Sequence, residues 1–279
     1  MQKEKQISYA EQFQELHHNN QLLVLPNVWD AGSAKIFEKS GFKAIATTSA
    51  GIAYSMGYPD GEYLTIDELI NLTKKITERI DIPLSVDLEK GYADEAEQVK
   101  QNVRKIIEAG AVGVNIEDGN NTKQPYLDDL SLMEEKIKAL STLKDEIKIP
   151  FVINARSDTF WLQIGNENDR LNLAIERAKA FINAGADCIF LPGAISKESV
   201  QILLDSIDCP LNIIANPVFN DLKEMEKIGV NRLSIGSGAI RSVLEHTQNM
   251  ANELKSNSLN TMLSTELSYE KANQIFKIE

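Results

Sequence analysis

Along the chain, short apolar runs recur, each followed by a polar or glycine-bearing stretch and then by apolar residues at helical spacing. The runs at 22–26, 44–50, 84–89, 112–117, 151–155, 188–192, 211–215 and 232–236 predict strands. Ahead of them, Tyr9, Phe13 and Leu16 predict a helix over residues 8–20. Where helices hand over to strands, the junctions carry Gly41, Gly110, Gly185 and Gly229. Glycine takes the left-handed conformation that commonly ends a helix. Pro83, Pro150 and Pro210 mark further strand starts. Strands alternating with helices call for a parallel sheet, and about eight of them with right-handed crossovers close best as a (β/α)₈ TIM barrel. The rival α/β arrangement, a doubly wound open sheet, would carry a glycine-rich phosphate fingerprint after its first strand, and none is present.

The expected organisation is a barrel over residues 1–245 with a helical extension over 246–279. Residues 240–254 continue as an amphipathic helix, 256–260 form a polar break, and helical spacing returns from Tyr269 to Phe276. With 279 residues, 43% of them hydrophobic, the chain can bury a large single core. The net charge of −12 argues against a nucleic-acid or anionic-membrane partner, yet leaves room for a local site that takes a small anion. No apolar run approaches the roughly 20 residues that span a bilayer. Residues 1–6 lack the apolar centre of a signal peptide, so a cytoplasmic location is expected. Cys188 and Cys209 lack metal-ligand spacing and fall at or just before strand starts, where a structural role is expected. His17, His18 and His246 lie on helices or helix ends away from the barrel mouth.

In a barrel of this kind, chemistry sits at the C-terminal ends of the strands. The third run ends with Asp87 and Glu89 pointing the same way, just before Gly91. The fourth ends in Glu117 and Asp118, and the fifth in Asn154, Arg156 and Asp158. Hard divalent cations take oxygen ligands, and Mg²⁺ uses one or two carboxylates with waters. Arginine beside carboxylates suits an anionic substrate and developing oxyanion charge, or else forms a structural ion pair with Glu117 or Asp158. Thr48, Ser49 and Ala50 offer hydroxyls and backbone N–H groups for a carboxylate or phosphonate, or a plain strand-to-helix turn. Asp60 sits in a turn-rich loop, Asp30 is placed to cap a helix, and Asn216 offers one amide. Together these describe a Mg²⁺ site for an oxyacid, the ion acting as a Lewis acid on an enolate oxygen.

The segments 57–61 (Gly-Tyr-Pro-Asp-Gly), 87–92 (Asp-Leu-Glu-Lys-Gly-Tyr), 116–118 (Ile-Glu-Asp) and 154–158 (Asn-Ala-Arg-Ser-Asp) resemble the isocitrate lyase/phosphoenolpyruvate mutase superfamily, in the right order over about residues 12–245. The resemblance implies a barrel whose last helix packs on a neighbouring subunit of a homodimer or homotetramer. It also implies Mg²⁺, with Mn²⁺ as an alternative, and a small anionic 2-oxo acid or phosphono acid substrate. Carried over by position, Asp87 is the principal metal carboxylate and Glu89 stands where the family usually has a second Asp. Asp60 and Glu117 would hold metal-bound waters. Arg156 matches the arginine on the substrate carboxylate and oxyanion, residues 48–50 the turn that holds the carboxylate, and Asn216 an amide of the lyases. Family lyases carry a Cys-Gly-His segment on a mobile loop after the fourth strand. Here that stretch, residues 119–127, is short and has neither Cys nor His. Pro192 and Gly193 replace a Glu or His that elsewhere meets the far end of the substrate.

An isocitrate or methylisocitrate lyase of the usual mechanism is therefore not expected. The leading expectation is a Mg²⁺-dependent lyase or phosphonomutase working through an enolate, with catalytic Asp60 and Arg156. The alternatives are an oxaloacetate-type decarboxylase or hydrolase, which needs no loop Cys, and a non-catalytic 2-oxo acid binding protein. A Schiff-base aldolase using Lys90 is a minor rival, because Lys90 is expected to face solvent.

Overall fold

A proline in the first strand decides how the ring closes. In the computed structural model, which describes residues 2–120 and 123–277, α1 (Lys3–His18) leads into β1 (Leu23–Leu25) and β2 (Asn27–Val28). These are two halves of one strand interrupted at Pro26, which has no N–H to give a ladder. Next come α2 (Ala31–Lys39), β3 (Ile45–Thr47), α3 (Ser49–Ser55), α4 (Ile66–Thr77), β4 (Leu84–Asp87) and α5 (Ala96–Glu108). Then follow β5 (Gly113–Glu117), a small hairpin of β6 (Gly119–Asn120) and β7 (Tyr126–Leu127), α6 (Leu130–Ile147), β8 (Val152–Arg156) and α7 (Glu167–Ala184). The chain continues with β9 (Cys188–Leu191), α8 (Lys197–Ser206), β10 (Leu211–Ile214), α9 (Leu222–Ile228) and β11 (Arg232–Ser234). It ends in α10 (Gly238–Lys255), α11 (Asn260–Leu263) and α12 (Tyr269–Ile275).

The main sheet runs β1-β11-β10-β9-β8-β5-β4-β3-β2, every pairing parallel. Because β1 pairs with β11 and β2 with β3, the two edges meet across Pro26 and the sheet is a (β/α)₈ barrel. The helices wrap it with their apolar faces inward, as Val99, Val103, Ile106 and Ile107 of α5 do.

Helix α1 starts earlier than its spacing predicts and closes the N-terminal end of the barrel. Phe13 is fully buried there, and a Cβ on Gly113 would lie 2.8 Å from its ring, so glycine admits the plug. His17 meets Phe13 edge to face, and the Arg232 guanidinium lies 5.9 Å over the same ring. Burial, then the Arg232 charge, pushes the His17 imidazole down to about 3, so it sits there neutral. Cys188 is buried in the same region and burial pushes its thiol up to about 12, which suits a structural role.

Local chemistry sets the element ends. Asp30 forms a reciprocal capping box with Ser33 and starts α2. The apolar run 44–50 predicts more strand than forms: β3 stops at Thr47, because the Thr48 side chain accepts from Gly51 N and starts α3. Gly185 and Gly229 end α7 and α9 in the left-handed region, while Lys148 does so for α6 ahead of Pro150. The division expected at residue 245 falls inside α10, a continuous helix. Beyond it α12 returns to pack on α2, while Leu263 and Tyr269 stay largely exposed (72% and 88%).

Candidate active site

Strand alternation places Ser85 and Asp87 of β4, Asn115 and Glu117 of β5, and Asn154 and Arg156 of β8 on the inner side of the barrel. TIM-barrel interiors usually carry branched aliphatic layers. Here amides occupy that level, and they converge on one carboxylate. Asn154 Nδ2 donates to Asn115 Oδ1 at 2.9 Å, and Asn115 Nδ2 donates to Asp87 Oδ1 at 2.8 Å. The other oxygen, Oδ2, accepts from Ser49 N at 3.0 Å, and Asp87 N donates to Thr47 Oγ1 at 2.8 Å. Asp87 is therefore held on both oxygens and on its backbone.

Above it lies a cavity of about 310 Å³, lined by Thr48, Ser49, Ala50, Tyr54, Asp60, Asp87, Arg156 and Trp161 among others. Glu89 and Glu117 are not on its surface. Glu89 sits behind Asp87 at φ 50°, buried, with Oε2 accepting from Glu62 N at 2.9 Å. Glu62 has φ 55° and its Oε1 accepts from Lys90 N and Tyr92 N, while Tyr92 has φ 56°. Three non-glycine residues in the left-handed region around one knot hold the Glu89 carboxylate where extended backbone would not.

Arg156 is flanked by two acids. Its Nη1 lies 2.7 Å from Glu117 Oε2, and its Nε and Nη2 donate to the two oxygens of Asp158 at 2.6 and 3.1 Å. Phe190 and Trp161 lie against its plane, 5.7 and 6.0 Å from the guanidinium carbon. Burial works against its charge, but Asp158 and Glu117 outweigh it and hold its pKa above the ordinary value. Beneath, Asp118 pairs with Arg177 at 2.6 Å and accepts from Asp158 N. Gly119 lies so near Asp158 that a Cβ would fall 2.0 Å from Oδ2, so no side chain fits there.

The structure thus brings Asp60, Asp87, Arg156 and the 48–50 turn to one cavity, with Glu89 and Glu117 directly behind it. The Ser49 N–H is already given to Asp87 and its hydroxyl bonds Asp60, which leaves the Ala50 N–H as the donor of that turn. Asn216 is not brought in: its amide donates to Ile214 O and its Oδ1 accepts from Val218 N and Phe219 N, a local turn. Lys90 does not point into open solvent; it bonds Asn120 Oδ1 at 2.7 Å and pairs with Asp128, tying β4 to the hairpin. Asn154 was noted from the sequence only as part of its strand end, and Asn115 was not singled out, although each lies two residues before Glu117 or Arg156 and so shares its face. Glu62 carried no such signal, because its role depends on a fold-back of 28 residues to Lys90.

The donor set suits a hard divalent cation. Among the described residues, no three Asp, Glu, His or Cys side chains converge to enclose an ion. An ion here would rest on Asp87, with Asp60 near, and complete its shell with water, the usual Mg²⁺ mode. The electrostatics agree: Asp60 is raised by burial and by Asp87, and Glu89 is pushed up to about 8 by burial, Asp87 and Asp60. Such crowding is what a cation relieves.

Two expected results follow from this geometry. A carboxyl raised in the fold binds a proton that the unfolded chain has released, so its stabilising contribution is complete below pH ~4.5 and fades as pH rises through about 8. Metal-free protein should therefore lose melting temperature between pH 5 and 8, and Mg²⁺ should raise it more at pH 8 than at pH 5. Thermal scans in chelator and in Mg²⁺ measure both. Second, Asn115→Leu frees one Asp87 oxygen and should weaken Mg²⁺ binding by about 10- to 100-fold, read by titration calorimetry.

Comparison with known proteins agrees with the geometry. The family profile described as phosphoenolpyruvate phosphomutase matches residues 13–255. An uncharacterized protein of Mycobacterium tuberculosis is 36% identical over 225 residues, 81% of each chain. A 2-methylisocitrate lyase of Halalkalibacterium halodurans is 30% identical over 75% of this chain and 68% of its own. Among solved structures, a Burkholderia cenocepacia protein provisionally described as a lyase/mutase superposes with TM-score 0.90, 28% identity and coverage of 99% and 98%. A phosphonopyruvate hydrolase solved with oxalate and Mg²⁺ shares the fold at TM-score 0.83 and 20% identity, covering 96% and 94%.

Proposed function

The chain belongs to the phosphoenolpyruvate phosphomutase family, and from that premise we propose a Mg²⁺-dependent enzyme, Mn²⁺ being the alternative ion, that breaks or rearranges a C–C or P–C bond of a small 2-oxo or phosphono acid. The observation that carries this reading is Asp87, held on both oxygens at the end of a barrel strand across the cavity from Arg156. When bound, the ion supplies the positive charge that lowers the energy of a pyruvate-like enolate. Asp87 would be its main ligand, Asp60 would hold a water beside it, and Glu89 and Glu117 would act from behind. Arg156 has spent three of its five N–H groups on Asp158 and Glu117, and the remaining ones are free for a substrate carboxylate or oxyanion. The guanidinium is thereby fixed before substrate arrives. The Ala50 N–H binds the carboxylate from the opposite wall.

Among the described residues, the cavity lining contains no His, Cys or Lys. That favours, as a second reading within the same site, decarboxylation or hydrolysis of a β-oxo acid, which asks for polarisation of the carbonyl and no thiol acid. The exposed apolar residues of α11 and α12 support a homo-oligomer.

The test is NMR of oxaloacetate and phosphonopyruvate incubated with the protein, with Mg²⁺ and with EDTA. Product formed above the metal-only rate and abolished by EDTA is expected. Turnover that survives EDTA sinks the metal assignment.

A further inference from the structure

The barrel floor carries a charge that the mouth does not use. Arg232 begins β11, is 2% exposed, lines the cavity from below and has its guanidinium over the Phe13 ring. The two other arginines held in the interior, Arg156 and Arg177, each meet a carboxylate at 2.6 Å. Arg232 meets none among the described residues, and its buried Nε and Nη1 have no hydrogen-bond partner there. Ser85 Oγ is a second orphan of the same floor. A Cβ on Gly113 would lie 3.0 Å from that hydroxyl and 2.8 Å from the Phe13 ring, so hydroxyl and guanidinium border one ring. A buried guanidinium without a counter-charge is costly. Burial pushes Arg232 down to about 10, opposed by Cys188 and Asp87, so it keeps its charge at neutral pH. The Cys188 thiol is itself held protonated by burial, and both Asp87 oxygens are engaged, by Asn115 and Ser49.

We infer that the barrel floor binds a chloride ion between the Arg232 guanidinium and Ser85 Oγ, one layer below Asp87. The donors are those an anion needs: two N–H groups of a cation and a hydroxyl free to turn. Water could accept from the same N–H groups, but it brings no charge to offset Arg232. A monatomic anion accepts from any direction, so it bridges donors that arrive from different strands. Ser85 stands two residues before Asp87 on β4, and Arg232 starts β11 over the Phe13 plug of α1. The ion therefore ties both strands to that plug, as a structural ion and not as part of a substrate. Asn154 Oδ1, an orphaned acceptor of the same cavity, takes water. The site does not depend on the Mg²⁺ reading of the mouth.

Two measurements test it. One is thermal melting in EDTA at constant ionic strength, with potassium gluconate replaced stepwise by potassium chloride or bromide. The other is anomalous diffraction from crystals grown in bromide. A saturable rise in melting temperature with either halide is expected, together with a bromide peak in contact with Arg232 and Ser85. Arg232→Met, which puts an uncharged side chain of similar length there, should abolish the halide response. Ser85→Ala should weaken halide binding about threefold or more. If Arg232→Met does not fold, Ser85→Ala and the bromide peak decide. No halide response in the wild-type protein, a response unchanged in either folded variant, or water in place of bromide at Arg232 overturns the assignment. Because EDTA removes Mg²⁺, none of these outcomes touches the reading of the Asp87 end, which stands or falls on its own test.

Discussion

Asp87→Ala is expected to abolish Mg²⁺-dependent ligand binding and to lower turnover by at least about a thousandfold, roughly 4 kcal/mol of transition-state stabilisation, while the protein stays folded. The two halves of this prediction have separate physical causes. Function fails because Asp87 is the carboxylate that both faces the cavity and is held on each oxygen, by Asn115 and by Ser49 N. The fold survives because those donors border a cavity that water can enter, so they re-pair at small cost. Removing Asp87 also removes a like charge from Glu89 and Asp60, whose carboxyls should then titrate lower than in the parent protein. Calorimetry with Mg²⁺ and oxalate, a melting curve and a carboxyl NMR titration measure the three effects. Full metal affinity in Asp87→Ala would remove the site from the place assigned to it.

Arg156→Gln should be costly in the opposite sense, destabilising the protein by about 3–5 kcal/mol as well as inactivating it. Glu117 and Asp158 are buried against the guanidinium, and without it two carboxylates face each other inside the barrel wall. The group that suffers most is Glu117, already raised well above its ordinary value by burial, with Arg156 as the main opposing influence. Losing the arginine raises it further. In the mutant Glu117 folds as a neutral carboxyl, so the penalty is small where the unfolded chain is also protonated and grows as pH rises. Urea denaturation at pH 5 and pH 8 should show the larger deficit at pH 8. Arg156→Lys should not rescue, since a single ammonium cannot span Asp158 and Glu117 together. A mutant of wild-type stability at pH 8 would mean that the triad is not buried as described.

Much of this molecule was legible in one dimension. The strand positions, the glycine and proline junctions and the order of acids at strand ends are local properties, and they led to the barrel and to Asp87 and Arg156, whereas Asp60 entered through the family resemblance. The N-cap role of Asp30 was read from its place before a helix, because capping acts over three residues. Where the reading strayed, the deciding contacts were distant in sequence or depended on a competing local bond. The strand predicted to residue 50 stops at Thr47 because one hydroxyl turns to cap a helix. Lys90, expected in solvent, is pinned across 30 residues by Asn120. Asn216 looks like a mouth amide and is spent on its own turn.

By itself, the sequence determined the repeating strand-and-helix pattern, the chain's acidic balance and which residue types stand at the strand ends, since period and composition need no partner to be read. Only the tertiary structure decided which of those acids share a cavity and which stand behind it. It alone divided Arg156 between Glu117 and Asp158 and routed two amides onto Asp87. The reason is that electrostatics and hydrogen bonding are set by distance in space. The barrel brings strands together from residues as far apart as 23 and 232, a separation no local pattern encodes.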